Sequence, residues 1–494
     1  MHYKLKSLTA TYGEKITIIL MSTFGCLIGL ATITYSQNED MGIFMSEAAI
    51  IANGQALYSQ IYEIKDPLFL YVAAIATTLL GIQGPFLLDA FMISISTPLS
   101  YLASRKLGFS NIPATTAAVV FTGTLSGAYF QSFRSGIAAL VLVLACFLCA
   151  SYKNWILLGI LSILVVGFKM SYALFLMGPL LLIFATNNRA QAALRFFSSA
   201  IFTGVLFIGI LARRNELSGY LEMVRANFEY RSNYPAIFGL PEGVGGHIAL
   251  VNSFGSNFWI LLVLIFFQIW ITLKLNHKDN NLVRVSLILL SASVLVTLMI
   301  SAMWPHHLQV LCLLAWSSTL IFLEATANHL KFPEVIISYA VIPILITLQL
   351  TGWRIPSVYT NLFAKASSPS WQIPPEVNYI NSNKSQFQGV QHYARLGPND
   401  DLGLAAFLDD NFILVCRNYA QVGFESDAKI TEIRDCIKKM PEVIFVSSGF
   451  NTLIRPTGNY EELKRVVNKV LSEDFICQEI DARPGASVCI RVKE

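Results

Sequence analysis

Apolar residues run in long blocks over roughly the first 350 positions, and polar residues are confined to the gaps between them. An α-helix needs about 20 apolar residues to cross the ~30 Å hydrocarbon layer of a bilayer. That ruler predicts spans at 16–36, 85–103, 113–130, 135–151, 196–213, 255–274, 284–303, 306–325 and 334–351. Two shorter runs, 155–168 and 171–186, flank Lys169 and predict a pair of spans meeting at one membrane surface. A last run, 67–81, lies between Pro67 and Gly81 and is too short to be a comfortable span. Beyond residue 400 the pattern changes. Phe412–Cys416 and Val443–Ser447 read as strands, 428–439 and 460–471 carry helical spacing, and 475–481 with 486–492 read as a closing strand pair. Strands alternating with helices predict a small α/β layer. Residues 361–400 are rich in Ser, Pro, Asn and Gln and read as a linker or binding loop. The expected organisation is a membrane body over 1–360 with a first outer loop at 37–84, a linker over 361–400, and an accessory α/β domain over 401–494.

Composition sharpens the division. The chain of 494 residues is 54% hydrophobic and 13% charged, about half the charge of a soluble domain. Residues 1–364 hold 34 of the 66 charged side chains, and the remaining 130 residues hold 32. A net charge of +4 over this length excludes an electrostatic nucleic-acid binder, and the hydrophobicity excludes a disordered chain.

The charge bias orients the body. The tail 1–15 carries Lys4, Lys6 and Lys15 against Glu14, whereas 37–66 carries Glu39, Asp40, Glu47, Glu63 and Asp66 against Lys65. The N-terminus is therefore expected in the cytoplasm and 37–66 outside, with the first apolar run kept as a span because no small-residue cleavage site follows it. If 67–81 crossed the membrane, Arg105-Lys106, Lys153, Arg189 with Arg195, and the Lys274/Lys278/Arg284 group would all lie outside. If it dips into the outer surface, all four basic connections fall inside. The second choice gives about eleven spans, outer-surface juxtamembrane helices and an extracytoplasmic C-terminal domain, in a bacterial inner or plasma membrane.

The outer surface then gathers the unusual polar residues. Glu39-Asp40 sit just past the first span, where partial desolvation raises a carboxylate's basicity as a general base requires; as acidic residues they equally mark any outer loop. The segment Ser46–Gly54 has Ala48, Ile51 and Ala52 at helical spacing and a stop at Asn53-Gly54, and reads as a helix lying on the membrane. Tyr62-Glu63-Ile64-Lys65-Asp66-Pro67-Leu68 leads into the short apolar run.

An acidic residue before Gly, a surface helix ending in Asn-Gly with Tyr58 four residues on, and Lys-Asp-Pro-Leu before an apolar run together resemble the first outer loop of GT-C glycosyltransferases, nearest the protein O-mannosyltransferase and aminoarabinose transferase-like group. Gly167-Phe168-Lys169-Met170-Ser171-Tyr172-Ala173-Leu174 is similar to that group's LTKPTAL turn, and Trp304-Pro305-His306-His307-Leu308-Gln309-Val310-Leu311 to its PHYxLQLLP turn. The resemblance covers about residues 10–355. It implies an inverting transferase that moves a sugar from a polyprenyl-phosphate donor to an acceptor hydroxyl at the outer face. By position before Gly, Asp40 matches the family's general base; Glu39 is the alternative, since either carboxylate can point inward. Lys65 and Lys169 match the basic positions that hold the leaving phosphate, where fixed positive charge meets developing negative charge. Tyr58, Glu63 and Asp66, in the same loop, are candidate substrate contacts.

Three further groups stay open between two roles. Arg134 stands where many relatives carry an acidic residue, and is either a phosphate contact or an arginine snorkelling from a span end. His306 and His307 project about 100° apart on a helix, so at most one faces the site, and either is otherwise an interfacial histidine. Asp89, one turn inside a span, should face the protein interior.

No metal or other cofactor is implied: His-His without a spaced carboxylate is no zinc set, and the Asp-x-Asp of metal-dependent relatives is missing, with Gly42 in its place. The partners implied are the lipid-linked sugar donor, a glycan, lipid or protein acceptor, and the bilayer, with no nucleic acid. Cys26, Cys146, Cys149 and Cys312 fall in spans, while Cys416, Cys436, Cys477 and Cys489 can form up to two disulfides, Cys477–Cys489 across the closing strands being the easiest. Two rivals remain. A lipid-linked oligosaccharide polymerase or ligase would use outer-loop arginines such as Arg213, Arg214, Arg225 and Arg231, and a transporter or flippase would show an internal repeat and mid-span polar groups.

Overall fold

Where no water reaches the backbone, each peptide group must find its partner within the chain, and a long apolar run meets that demand by winding into a helix. The computed structural model describes residues 2–32, 39–58, 61–62, 65–127, 134–233, 261–273, 281–300, 305–329, 373–396, 404–408, 412–416, 418–419, 427–448, 450, 460–481 and 484–492. The helices of the first two-thirds are α1 (His2–Thr32), α2 (Glu39–Ala52), α3 (Pro67–Leu80), α4 (Gly84–Lys106), α5 (Asn111–Leu125), α6 (Ser135–Ser151), α7 (Trp155–Phe168), α8 (Met177–Leu181), α9 (Arg189–Arg213), α10 (Leu217–Asn233), α11 (Leu261–Leu273), α12 (Asn281–Ile300) and α13 (Leu311–His329). Those of the last third are α14 (Pro375–Ser382), α15 (Leu404–Phe407), α16 (Asp427–Lys439) and α17 (Tyr460–Asp474).

Among the described residues, five helical stretches are long and apolar enough to cross a membrane: Gly13–Thr32, Pro67–Lys106, Arg189–Arg213, Asn281–Leu298 and His307–Ala325. Ser135–Ser151, Trp155–Phe168 and Leu261–Leu273 are shorter apolar helices. The protein is mostly helical with a small sheet, and its apolar helices suit association with a lipid bilayer. The expected span at 334–351 lies outside the described residues.

Two stretches differ from plain α-helix. Pro67–Lys106 is broken at a 3-10 turn, Gly81–Gln83, where Gly81 has φ 70 and ψ −163, a region open essentially to glycine alone. A methyl group built on Gly84 would lie within 3 Å of the Ala76 carbonyl oxygen, whereas eight residues of continuous helix would separate the two by about 12 Å. The chain therefore doubles back sharply within residues 76–84. Met170–Ala185 is mostly 3-10 helix around α8 and its Pro179. Because a 3-10 helix rises about 2.0 Å per residue against 1.5 Å for α, these sixteen positions extend about 30 Å, longer than the same run as plain α-helix.

Contacts divide the chain into two units: residues 1–35, 86–207 and 234–369 form one, and 36–85, 208–233 and 370–494 the other. In the first, Gly25 and Gly29 of α1 let its backbone close on α4, and methyls built there would overlap the Ser94 and Ala90 carbonyls; small residues four apart serve this purpose in membranes. Polar side chains between helices find one another. Gln268 donates to Ser318 Oγ at 2.7 Å and accepts from Ser291 at 3.0 Å, and Ser291 meets Ser317 at 2.7 Å. Asp89 is 5% exposed, facing inward as expected.

The second unit joins the first loop to the C-terminal third. Its five-stranded sheet has the order β3 (Ile413–Leu414), β2 (His392–Leu396), β5 (Val443–Val446), β7 (Ser487–Arg491), β6 (Phe475–Glu479). Strand β2 runs parallel to β3 and β5, and β7 is antiparallel to β5 and β6. Strands and helices thus fall where the hydrophobic pattern sets them, with one correction. The stretch 361–400 supplies α14 and the interior strand β2, whose buried Tyr393, Ala394 and Leu396 are hidden in the sequence among polar neighbours. Helices α16 and α17 bury Ile433, Ile437, Val467 and Val470 against the sheet residues Ile444, Val446 and Cys489. Disulfides join Cys477 to Cys489, which face each other across β6 and β7, and Cys416 to Cys436. A short parallel pair links β1 (Ile61–Tyr62) of the first loop to β4 (Asn418–Tyr419).

Candidate functional site

Lysine in an apolar run breaks the helix it would otherwise charge. Lys169 caps α7 in an extended conformation, φ −159 and ψ 99. Its ammonium lies 3.3 Å from the Tyr172 hydroxyl and 4.6 Å from that ring's centroid. Arg134, the N-cap of α6, is 5% exposed. The 3-10 turn Pro305–Val310 brings Gln309, 2% exposed, with its amide nitrogen lacking a hydrogen-bond partner among the described residues.

These three turns meet at Gly136, two residues into α6 from Arg134. A methyl group built there would stand 3.0 Å from Tyr172 Oη, 3.6 Å from Gln309 Oε1 and 3.8 Å from Lys169 Nζ. A bare glycine thus permits the close approach of an ammonium, a phenol and a primary amide, two residues along the chain from Arg134. The Lys169 ammonium donates to the Tyr172 hydroxyl, which can itself donate onward, and Gln309 turns its acceptor oxygen Oε1 to the same place; the fixed positive charge of Lys169 is what suits it to an anion. Half-buried His307 lies on the same turn as Gln309. The side chain of His306 lies outside the described residues.

The second unit holds the first-loop candidates. Glu39 and Asp40 are the first two residues of α2; their side chains, and Glu63, lie outside the described residues. Helix α2 does not lie on a surface with one wet face: Ile43, Phe44, Met45, Ser46, Glu47, Ala48, Ala49, Ile50 and Ile51 are all buried. Only Ser46 and Glu47 are polar between Gly42 and Ala52, and a helix apolar on all sides seeks burial on all sides. It ends as expected at Asn53-Gly54, with Gly54 at φ 86 and the paired bonds Gln55 N–H to Ile50 O (3.2 Å) and Gly54 N–H to Ile51 O (3.0 Å).

Lys65 sits with its ammonium 5.4 Å from the Phe44 ring centroid, and Phe44 packs edge-on to Phe69 of α3. Asp66 is the N-cap of α3. Tyr58 is 2% exposed, has φ 65, and donates its hydroxyl to the Lys65 carbonyl at 2.8 Å. Its role is thereby to shape the loop rather than to offer a free hydroxyl to substrate.

Sequence reasoning missed a buried carboxylate of this unit with three donors. Glu216, fully buried between α9 and α10, accepts from Leu57 N–H at 2.9 Å and Arg214 Nε at 3.0 Å, and from the Tyr71 hydroxyl. Burial pushes its carboxyl up to about 7, against the pull of the Leu57 N–H. Tyr220, one turn on, is raised by burial and by the charge of Asp66. Nothing local marks Glu216: in the sequence it is one of several glutamates in a mixed-charge loop, and its partners are distant. Tyr172 and Gln309, by contrast, stand inside the two turns whose motifs drew notice.

The candidates thus group as Arg134, Lys169 and His307 in the first unit, and Tyr58, Lys65 and Asp66 in the second. Among the described residues no three His, Cys, Asp or Glu side chains group as a metal site would need. Compared with models of known families and with curated protein sequences, the chain matches none.

Proposed function

We propose that this chain is an integral-membrane inverting glycosyltransferase of GT-C type, which takes a sugar from a polyprenyl phosphate at the outer membrane face. The observation that carries the proposal is the convergence of Lys169, Tyr172 and Gln309 on Gly136 beside Arg134. Two of the three turns involved are those that resemble the family, and their meeting point holds the Lys169 ammonium and the Tyr172 hydroxyl at the end of apolar helices. A lipid phosphate is the anion that reaches such a place from within the bilayer. Electrostatic stabilisation of the leaving phosphate there lowers the barrier where negative charge develops, and Asp40, at the start of α2, takes the proton from the acceptor hydroxyl.

The disulfides Cys416–Cys436 and Cys477–Cys489 belong to an oxidising compartment, in keeping with an extracytoplasmic C-terminal domain and a cytoplasmic N-terminus. The first loop shares that side through the β1–β4 pairing. The ligase alternative, built on outer-loop arginines, is weakened because Arg214 is bound to Glu216 at 3.0 Å.

The test is release of free polyprenyl phosphate by the purified protein from a panel of polyprenyl monophosphate sugars. Asp40→Asn should abolish release while leaving expression and donor binding intact. Near-normal turnover in that variant refutes the assignment.

A further inference from the structure

We propose that Glu216 is a positioning residue for Lys65, and through it for the lipid phosphate; the second clause rests on the function proposed above. Glu216 has no exposed surface, and its three donors come from three places: Leu57 after α2, Arg214 at the end of α9, and Tyr71 on α3. Arg214 reinforces the same junction, reaching the Gln55 carbonyl at 3.4 Å and lying 5.3 Å from the Tyr71 ring centroid. One carboxylate therefore fixes the chain on both sides of the loop that carries Lys65.

The residue after Leu57 transmits the hold. Tyr58 adopts φ 65, which a bulky residue accepts only where its surroundings impose it. Gly219, one turn beyond Glu216, makes room: a methyl group built on it would come 2.5 Å from Tyr58 Cβ. Tyr220 packs on the Tyr58 ring at 6.0 Å. The Tyr58 hydroxyl then donates to the Lys65 carbonyl at 2.8 Å. Glu216, Leu57, Tyr58 and Lys65 form a continuous hydrogen-bonded and covalent path, and the α9–α10 turn presses on it from one side. The last member of that column, Lys65, extends its ammonium over the Phe44 ring at 5.4 Å.

The experiment uses the full-length protein in detergent, with the variants Glu216→Gln, Lys65→Ala and the double variant. The first readout is hydrogen exchange over residues 55–66. Glu216→Gln keeps the shape but puts an amide against the Arg214 and Tyr71 donors, and should lower protection of this segment about tenfold, about 1.4 kcal/mol, while the sheet of the C-terminal domain stays protected. The second readout is binding of a polyprenyl phosphate. Each single variant should weaken it about tenfold, and the double variant no more than either, because coupled residues are not additive. Unchanged exchange overturns the proposal, as does additive loss in the double variant, which is what independent structural damage produces. If Glu216→Gln fails to fold, Tyr71→Phe, which removes one donor only, takes its place with the same expectations. A wild-type protein that binds the lipid without transferring sugar refutes the enzyme but leaves the positioning role standing; one that does not bind the lipid overturns the link to phosphate.

Discussion

Burial sets the chemistry of single residues here, and Glu216 has the clearest consequence. Its carboxyl is raised from 4.5 to about 7 by burial, facing Arg214, the Tyr71 hydroxyl and the Leu57 N–H, with Tyr220 and Asp66 nearby. A carboxyl raised on folding contributes stability that is complete below its unfolded pKa and lost as pH rises through its folded one. Melting temperature should therefore fall from about pH 5 to about pH 8, and Glu216→Gln should flatten that slope; parallel profiles for the two proteins would contradict the assignment. Gly136→Ala supplies a second check, since its methyl would press on Tyr172 Oη at 3.0 Å. Expression should persist and binding of polyprenyl phosphate should drop about tenfold, about 1.4 kcal/mol, by titration of the purified protein. Lys169 was legible in the sequence because a lone charge in an apolar run demands an explanation. Glu216 was not, because a carboxylate's burial is decided by chain segments as far as 159 positions away.

Elements were legible where their pattern had contrast. Helices α16 and α17 alternate apolar and charged faces, and both appeared at the expected positions within a few residues. Helix α2 lacks contrast, so spacing alone suggested a surface helix when Ile43–Ile51 are all buried. Strand β2 was hidden because its polar His392 and Arg395 made an interior strand look like loop. The turn between α3 and α4 offers a test at this scale. Gly84→Ala would force a methyl onto the Ala76 carbonyl, whereas Gly81→Ala meets open space and only a backbone cost of about 1–3 kcal/mol. Thermal unfolding should show Gly84→Ala as the more damaging of the two, and the reverse order would refute the close turn. In the sheet, Cys477→Ser with Cys489→Ser should destabilise the C-terminal strands by about 2–4 kcal/mol, read from denaturant unfolding followed by hydrogen exchange; no change would mean the bridge is dispensable.

At the scale of the whole molecule, the uneven distribution of charge foretold a greasy body and a polar tail. What it did not foretell is that the tail, the first loop and residues 208–233 form one unit. Sequence separation hides such a unit, because β1 and β4 are two residues each and too short to carry a strand signal. The polar groups the body retains divide between turns, as at Lys169 and Gln309, and buried contacts between helices, as at Gln268 and Ser291. Reporter fusions after residues 83 and 110 should report outside and inside respectively; residue 110 outside would break the eleven-span arrangement.

The most direct test of the proposed glycosyltransferase activity needs neither the sugar nor the acceptor to be known in advance. An enzyme that consumes a polyprenyl monophosphate sugar leaves that lipid to accumulate when its general base is removed. Mass spectrometry of lipids from the producing cell should show one such species rising in an Asp40→Asn strain and returning to its former level when the wild-type chain is restored. An unchanged pool of polyprenyl monophosphate sugars, with the Asp40→Asn protein present at normal abundance, would contradict the account.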